Sequence, residues 1–216
     1  MSLAVLATRV AAHNLAIFGG FHAGPGDDLP TGTRTLLLLG PAEPGFWPKV
    51  SAEPEFSDLN PDPLDRWSRR VIGGLACDLG GKALFPFGGP PYRPFYAWAL
   101  RSGRAWASPV ALLVQAEAGL LVSYRGALAL REAIDTPPPV LSPCLDCAEQ
   151  PCRAACPAQA LSGPGYDLPA CHAYLATPPG ADCIGNGCAV RRACPVSRQY
   201  ARLPEQSAYH MRLFHP

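Results

Sequence analysis

Thiols are the side chains in this chain whose type and spacing could do chemistry. There are nine cysteines, eight of them beyond residue 140, and four fall in one stretch, SPCLDCAEQPCRAACP, residues 142–157. So many thiols admit three chemistries: disulfides, zinc or iron–sulfur clusters. Disulfides need an oxidising compartment, and an odd count leaves one thiol over. Structural zinc usually takes two C-x2-C pairs some 12–20 residues apart and has no use for a Cys-Pro ending.

The spacing is Cys144-x2-Cys147-x4-Cys152-x3-Cys156-Pro157, then Cys171 alone, then Cys183-x4-Cys188-x5-Cys194-Pro195. In the bacterial two-cluster ferredoxin run, C-x2-C-x2-C-x3-C-P, three cysteines hold one 4Fe–4S cluster and the fourth reaches the other. Both groups here end in Cys-Pro, and eight clustered thiolates are what two cubanes require. The crossing rule predicts that Cys144, Cys147 and Cys152 bind one cluster with Cys194 as fourth ligand. Cys156, Cys171, Cys183 and Cys188 then bind the second. The AEQP insert between Cys147 and Cys152, and the stretched closing group, are the departures from that run.

These thiols need elements to position them, and the composition predicts short ones. Gly 21 and Pro 26 of 216 residues exceed a fifth of the chain, against roughly 12% in ordinary proteins. TPPPV, residues 136–140, holds three consecutive prolines that neither a helix nor a central strand tolerates. It divides the chain into an α+β domain, 1–138, and a loop-rich ferredoxin-like 4Fe–4S domain with a short tail, 139–216. In the first, LAIFGGF, RTLLLLG, ALFPF, VALLVQ and GLLVSYRGAL read as strands, the last two joined by a short turn. DPLDRWSRRVIGGLACDLGG reads as a helix with Leu64, Trp67, Val71, Leu75 and Leu79 on one face, Pro63 in the first turn and Asp62 as its cap. PYRPFYAWALRSG reads as another. The sheet is expected to be largely antiparallel.

Formal net charge is +1 with 16% charged residues, so no field favours nucleic acid or an anionic membrane. Arg9 interrupts the apolar N-terminus, which reads as an amphipathic helix and not a signal peptide. The longest apolar run, LLLL at 36–39, falls far short of the ~20 residues of a membrane span. A soluble, cytoplasmic protein is the expectation.

The cysteine pattern resembles that of the epoxyqueuosine reductase family, corrinoid-dependent iron–sulfur enzymes in which a ferredoxin-like module follows a nitroreductase-like cobalamin-binding domain. DLPACHAYLATP is similar to the family's stretch around a lone cysteine, which implies that Cys171 is a ligand, and DCIGNGCAVRRACP resembles its closing group. Upstream, Gly103, Trp106, Gly119 and Gly126 fall in matching places, so the resemblance covers roughly residues 90 to 200. The departures bear on activity. Where the family carries a catalytic Asp, this chain reads FGGPPYRPF with Gly89 nearest, and no carboxylate lies between Asp78 and Glu117. Glycine offers no proton. The long tail with which the family helps bind transfer RNA has no counterpart after Pro195. Epoxyqueuosine reduction itself is not expected.

Other residues carry weaker signals. Cys77, beside Leu75 and Leu79, reads as a core thiol. His172 adjoins Cys171 as a neighbour, not a ligand. FGGFHAGPGDD matches no phosphate-binding pattern, and PFGGPPYRP reads as a turn opening a helix. Arg191 and Arg192 are either solvated or set to tune a cluster or dock an acidic partner. Tyr92, Phe95, Tyr96, Trp98 and Trp106 read mostly as core; by analogy with the family alone, they could wall a flavin or corrinoid. Two functions follow. One is single-electron transfer by two 4Fe–4S clusters between redox partner proteins. The other is reduction of a small-molecule substrate by a cobalamin or flavin that the clusters serve. A purely structural metal module explains eight thiols poorly.

Overall fold

A computed structural model describes residues 1–161 and 165–216. In chain order the helices and strands are α1 (Leu3–Ala11), β1 (Leu15–His22), β2 (Thr35–Pro41), α2 (Phe46–Val50), α3 (Pro63–Asp78), β3 (Lys82–Leu84), α4 (Phe95–Arg101), β4 (Ala105–Ala107), β5 (Leu113–Gln115), β6 (Gly126–Leu130), α5 (Leu168–Leu175), α6 (Ala181–Asn186), α7 (Ala189–Ala193), α8 (Pro195–Gln199) and α9 (Pro204–Phe214). They form two compact units. The first holds residues 1–104 and 123–140, the second 105–122 and 141–216.

The first unit is an α+β body built on an antiparallel sheet ordered β1-β2-β6-β3. The LLLL run is its second strand. Leu36 to Leu39 are all fully buried, so both faces of β2 are covered, and such a strand reads as a continuous apolar run without alternation. Close packing here depends on Gly40: a Cβ on it would stand 2.1 Å from the Phe18 ring, which lies across the strand. Thr35, also buried, donates through Oγ1 to Glu132 O at 2.8 Å and accepts from Ile134 N at 3.0 Å, tying β2 to the segment after β6.

α3 packs on β6 and β3 through Leu64, Trp67, Val71, Ile72, Leu75 and Ala76. That stripe excludes Cys77, which is exposed and not a core thiol: one helical step is about 100°, so the residue after Ala76 leaves the buried face. Asp62 does occupy the N-cap position, but in a left-handed conformation, with no capping bond from its side chain. The loop before the helix is held instead by Arg66, which donates to Pro61 O at 2.9 Å, Glu55 O at 2.8 Å and Asp58 Oδ2 at 2.6 Å.

α3 also carries one buried ion pair. Arg125, at the entry to β6, bonds Asp65 and donates from Nε to Ser68 Oγ at 3.1 Å, and its side chain is only 7% exposed. Asp65→Ala leaves this buried guanidinium without its carboxylate. Breaking a buried pair costs about 3–5 kcal/mol, and the partial exposure of Asp65 reduces that to about 2–3. Urea unfolding should show the loss, and the double variant Asp65→Leu/Arg125→Met should recover most of it. An unchanged midpoint for Asp65→Ala would show that water already solvates Arg125.

The sequence assigns all of 1–138 to the first domain, and the structure corrects this. Residues 105–122 fold with the C-terminal unit. VALLVQ and GLLVSYRGAL are not hairpin partners: β5 pairs with β4, whereas β6 lies between β2 and β3 of the other sheet. The intervening residues close a tight turn, with Gln115 and Gly119 exchanging backbone hydrogen bonds of 3.0 and 2.9 Å. α4 is shorter than the predicted PYRPFYAWALRSG helix and begins only at Phe95, because the prolines before it supply no helical N–H. Among the described residues no helix is long and apolar enough to cross a membrane.

Candidate metal centre

Among the described residues, a buried cluster of the second unit joins Val110, Val114, Leu120, Leu161 and Val190 to Cys152 and Cys194, and Cys144, Cys156 and Cys188 pack against it. The thiols are thus part of what the unit folds around.

Each thiol is placed by a local device. Cys144 and Cys147 lie in a turn where Ser142 O accepts from Leu145 N at 3.0 Å and Ser142 Oγ from Cys144 N at 3.4 Å. The AEQP insert has a definite conformation. Gln150 is left-handed, with φ 40°, and Pro151 opens a 3-10 turn, Pro151–Arg153, that turns Cys152 inward to 8% exposure. Cys171 is on α5, which Asp167 caps by accepting from Ala170 N at 2.9 Å. Cys183 lies on α6 and Cys188 just before α7. Cys194 breaks α7 from α8: it is extended, φ −63° and ψ 125°, because Pro195 bars the residue before it from the helical region.

Two groups result. Cys144, Cys147, Cys152 and Cys194 line one open cavity, walled by Val114, Leu120, Val196 and prolines 109, 143 and 195. Burial pushes the Cys144 thiol up, the Ser142 hydroxyl opposes this, and Cys194 and Cys147 add to it. Burial likewise pushes up Cys152, followed by the influence of Cys194, Cys144 and Cys147. The other four thiols interact among themselves. Burial raises Cys171, a hydrogen bond from Tyr166 opposes it, and Cys188 and Cys156 raise it further. Burial raises Cys183, the Ala189 N–H opposes it, and Cys188 raises it. With raised thiols, loading a metal centre must release protons.

Leu120, which lines the cavity, and Leu121 beside it are strapped down by residues of the C-terminal segment. Ser197 Oγ accepts from Leu120 N at 2.9 Å, Arg191 donates to Leu120 O at 2.6 Å, and Arg202 to Leu121 O at 3.1 Å. Arg191 is therefore engaged with the backbone. Arg192 donates to Gly187 O at 2.9 Å and pairs with Asp182. Sequence reading missed Ser197, a fully buried hydroxyl in an otherwise unremarkable PVSRQ segment.

Phe95 and Trp98 are buried in the first unit, where Trp98 Nε1 donates to Asp27 O at 3.0 Å. Tyr92 and Tyr96 are exposed, and Trp106 packs in the thiol core of the second unit. Gly89 sits in the loop before α4, between residues of a proline-rich turn. His172 Nδ1 lies 2.8 Å from His215 Nδ1, and its ring stacks on Phe214 at 4.6 Å.

Among the described residues, no group of three or more His, Cys, Asp or Glu side chains has the arrangement that would hold a single metal ion. Around a tetrahedral zinc, thiolates stand about 3.8 Å apart. A cubane distributes its four over separate irons and so spreads them more widely. No known protein family, curated protein or solved structure matches the chain. The likeness to epoxyqueuosine reductases therefore rests on the quoted residues alone.

Proposed function

We infer that this protein carries two 4Fe–4S clusters and passes single electrons between redox partner proteins or toward a small-molecule substrate. One observation carries this reading: Cys144, Cys147, Cys152 and Cys194, drawn from both ends of the cysteine-rich segment, line a single cavity. The donor set suits the cluster. Cysteine thiolates are the ordinary ligands of cubanes, and four are needed for each.

Cys144, Cys147, Cys152 and Cys194 would hold the first cluster, and Cys156, Cys171, Cys183 and Cys188 the second. Each cluster, once held, supplies a reversible one-electron couple. The chain's own residues control the surroundings. Val114, Leu120 and Val196 give the first set of sulfurs an apolar lining, and the polarity around the sulfurs is one of the levers that set a cluster's potential. The N–H groups and hydroxyls that meet the sulfurs are another, since a hydrogen bond favours the more negative state. Loading should also contribute to folding, since the second unit's core is built partly from its thiols.

Purified anaerobically, the protein should contain about eight irons and about eight acid-labile sulfides per chain, with broad visible absorption that dithionite bleaches. A content near four removes one cluster. Stoichiometric zinc without sulfide overturns the reading.

A further inference from the structure

Tyr166 is the side chain the two-cluster frame leaves unexplained. Its hydroxyl donates to Cys171 Sγ at 3.2 Å, and its ring stacks on Phe214, 12° from parallel with centroids 6.3 Å apart. Phe214 ends α9 and also stacks on His172, which meets His215. The C-terminal helix therefore holds the phenol against the thiol.

We propose that Tyr166 is a positioning residue that sets the potential of the second cluster, its hydroxyl bonded to the Cys171 sulfur making that cluster easier to reduce. This rests on the two-cluster reading above. The step is simple in balance: one electron enters from a redox partner or from dithionite, no covalent bond forms or breaks, and the phenol keeps its proton. A tyrosine hydroxyl is ordinarily protonated at neutral pH, so it stays a donor. The added electron increases negative charge on the ligand sulfurs, so the O–H···S bond is stronger in the reduced state. A bond that strengthens on reduction favours reduction.

The test is a dithionite titration of the full-length, anaerobically loaded protein, followed by electron paramagnetic resonance. Tyr166→Phe keeps the stacked ring and removes the donor. It should retain all its iron, lower one midpoint and leave the other in place. The expected change is a roughly three- to tenfold fall in the reduction equilibrium constant, at most about 59 mV for a one-electron couple. The midpoint that moves should be the one that survives in Cys152→Ser. Full iron with both midpoints unmoved overturns the role of Tyr166 and leaves the two-cluster reading standing, whereas wild-type protein devoid of iron and sulfide overturns both. Should Tyr166→Phe lose iron, Phe214→Leu removes the supporting ring and keeps the hydroxyl. A smaller fall in the same midpoint then supports the proposal, and an unmoved midpoint overturns it.

Discussion

Cys152→Ser is expected to halve the iron, from about eight to about four per chain, and to leave the second cluster's signal in place. Cys152 is the most deeply placed thiol of the first turn, at 8% exposure, and the cavity that it lines with Cys144, Cys147 and Cys194 has no other cysteine. A serine oxygen there is a poor ligand in an apolar wall. Double variants separate the crossed grouping from a sequential one, in which Cys144, Cys147, Cys152 and Cys156 would serve a single cluster. In the crossed frame Cys152 and Cys194 share a site, so Cys152→Ser/Cys194→Ser should still retain about four irons. In a sequential frame the same pair would damage both sites and leave almost none. Cys156→Ser/Cys171→Ser makes the reciprocal test, and it too should retain about four. Cys77→Ser, altering an exposed thiol of the first unit, should change neither iron nor sulfide.

Gly119→Val should be nearly as damaging, although glycine binds nothing. Gly119 has φ +58°, and a Cβ there would stand 2.6 Å from both Ser197 N and Ser197 Oγ and 3.1 Å from Cys194 Sγ. Ser197 cannot retreat: it is 2% exposed and accepts from Leu120 N. The left-handed backbone costs a β-branched residue about 1–2 kcal/mol, and overpacking a close contact adds about 1–3. The variant should therefore lose about 2–5 kcal/mol of stability by denaturant unfolding. Because the clash displaces Cys194, iron should also fall toward half. Gly185→Ala is the control, since its added Cβ meets nothing within 4 Å. Full iron in Gly119→Val would mean that the cavity wall yields without moving Cys194.

These two residues mark what sequence reading can and cannot reach. Cysteine spacing is a local property, and the Cys-Pro endings act locally too: Pro195 alone forces Cys194 out of the helical region and ends α7. The α3 stripe and the β2 run were legible for the same reason, since helical period and apolar continuity are written in neighbouring residues. The AEQP insert was legible only as an irregularity. Its effect, a left-handed Gln150 that swings Cys152 inward, depends on backbone angles that no spacing reveals.

What the tertiary structure decided is membership and facing. VALLVQ looks like a strand of the first sheet because a three-residue apolar strand carries no mark of its partner; the partner is β4, and the segment joins the thiol unit. Cys77 looks like core because it sits among leucines, yet one helical step past Ala76 puts it in water. Asp62 has the right residue type for a cap and the wrong backbone angle. Ser197 and Tyr166 meet the thiol unit's turn and Cys171 through one hydroxyl each, and a lone hydroxyl leaves no pattern in sequence. The sequence by itself determined that eight thiols lie close together beyond residue 140, because residue type and short-range spacing are local properties. Only the tertiary structure decided which thiols stand together and what touches them, because those contacts join residues far apart along the chain.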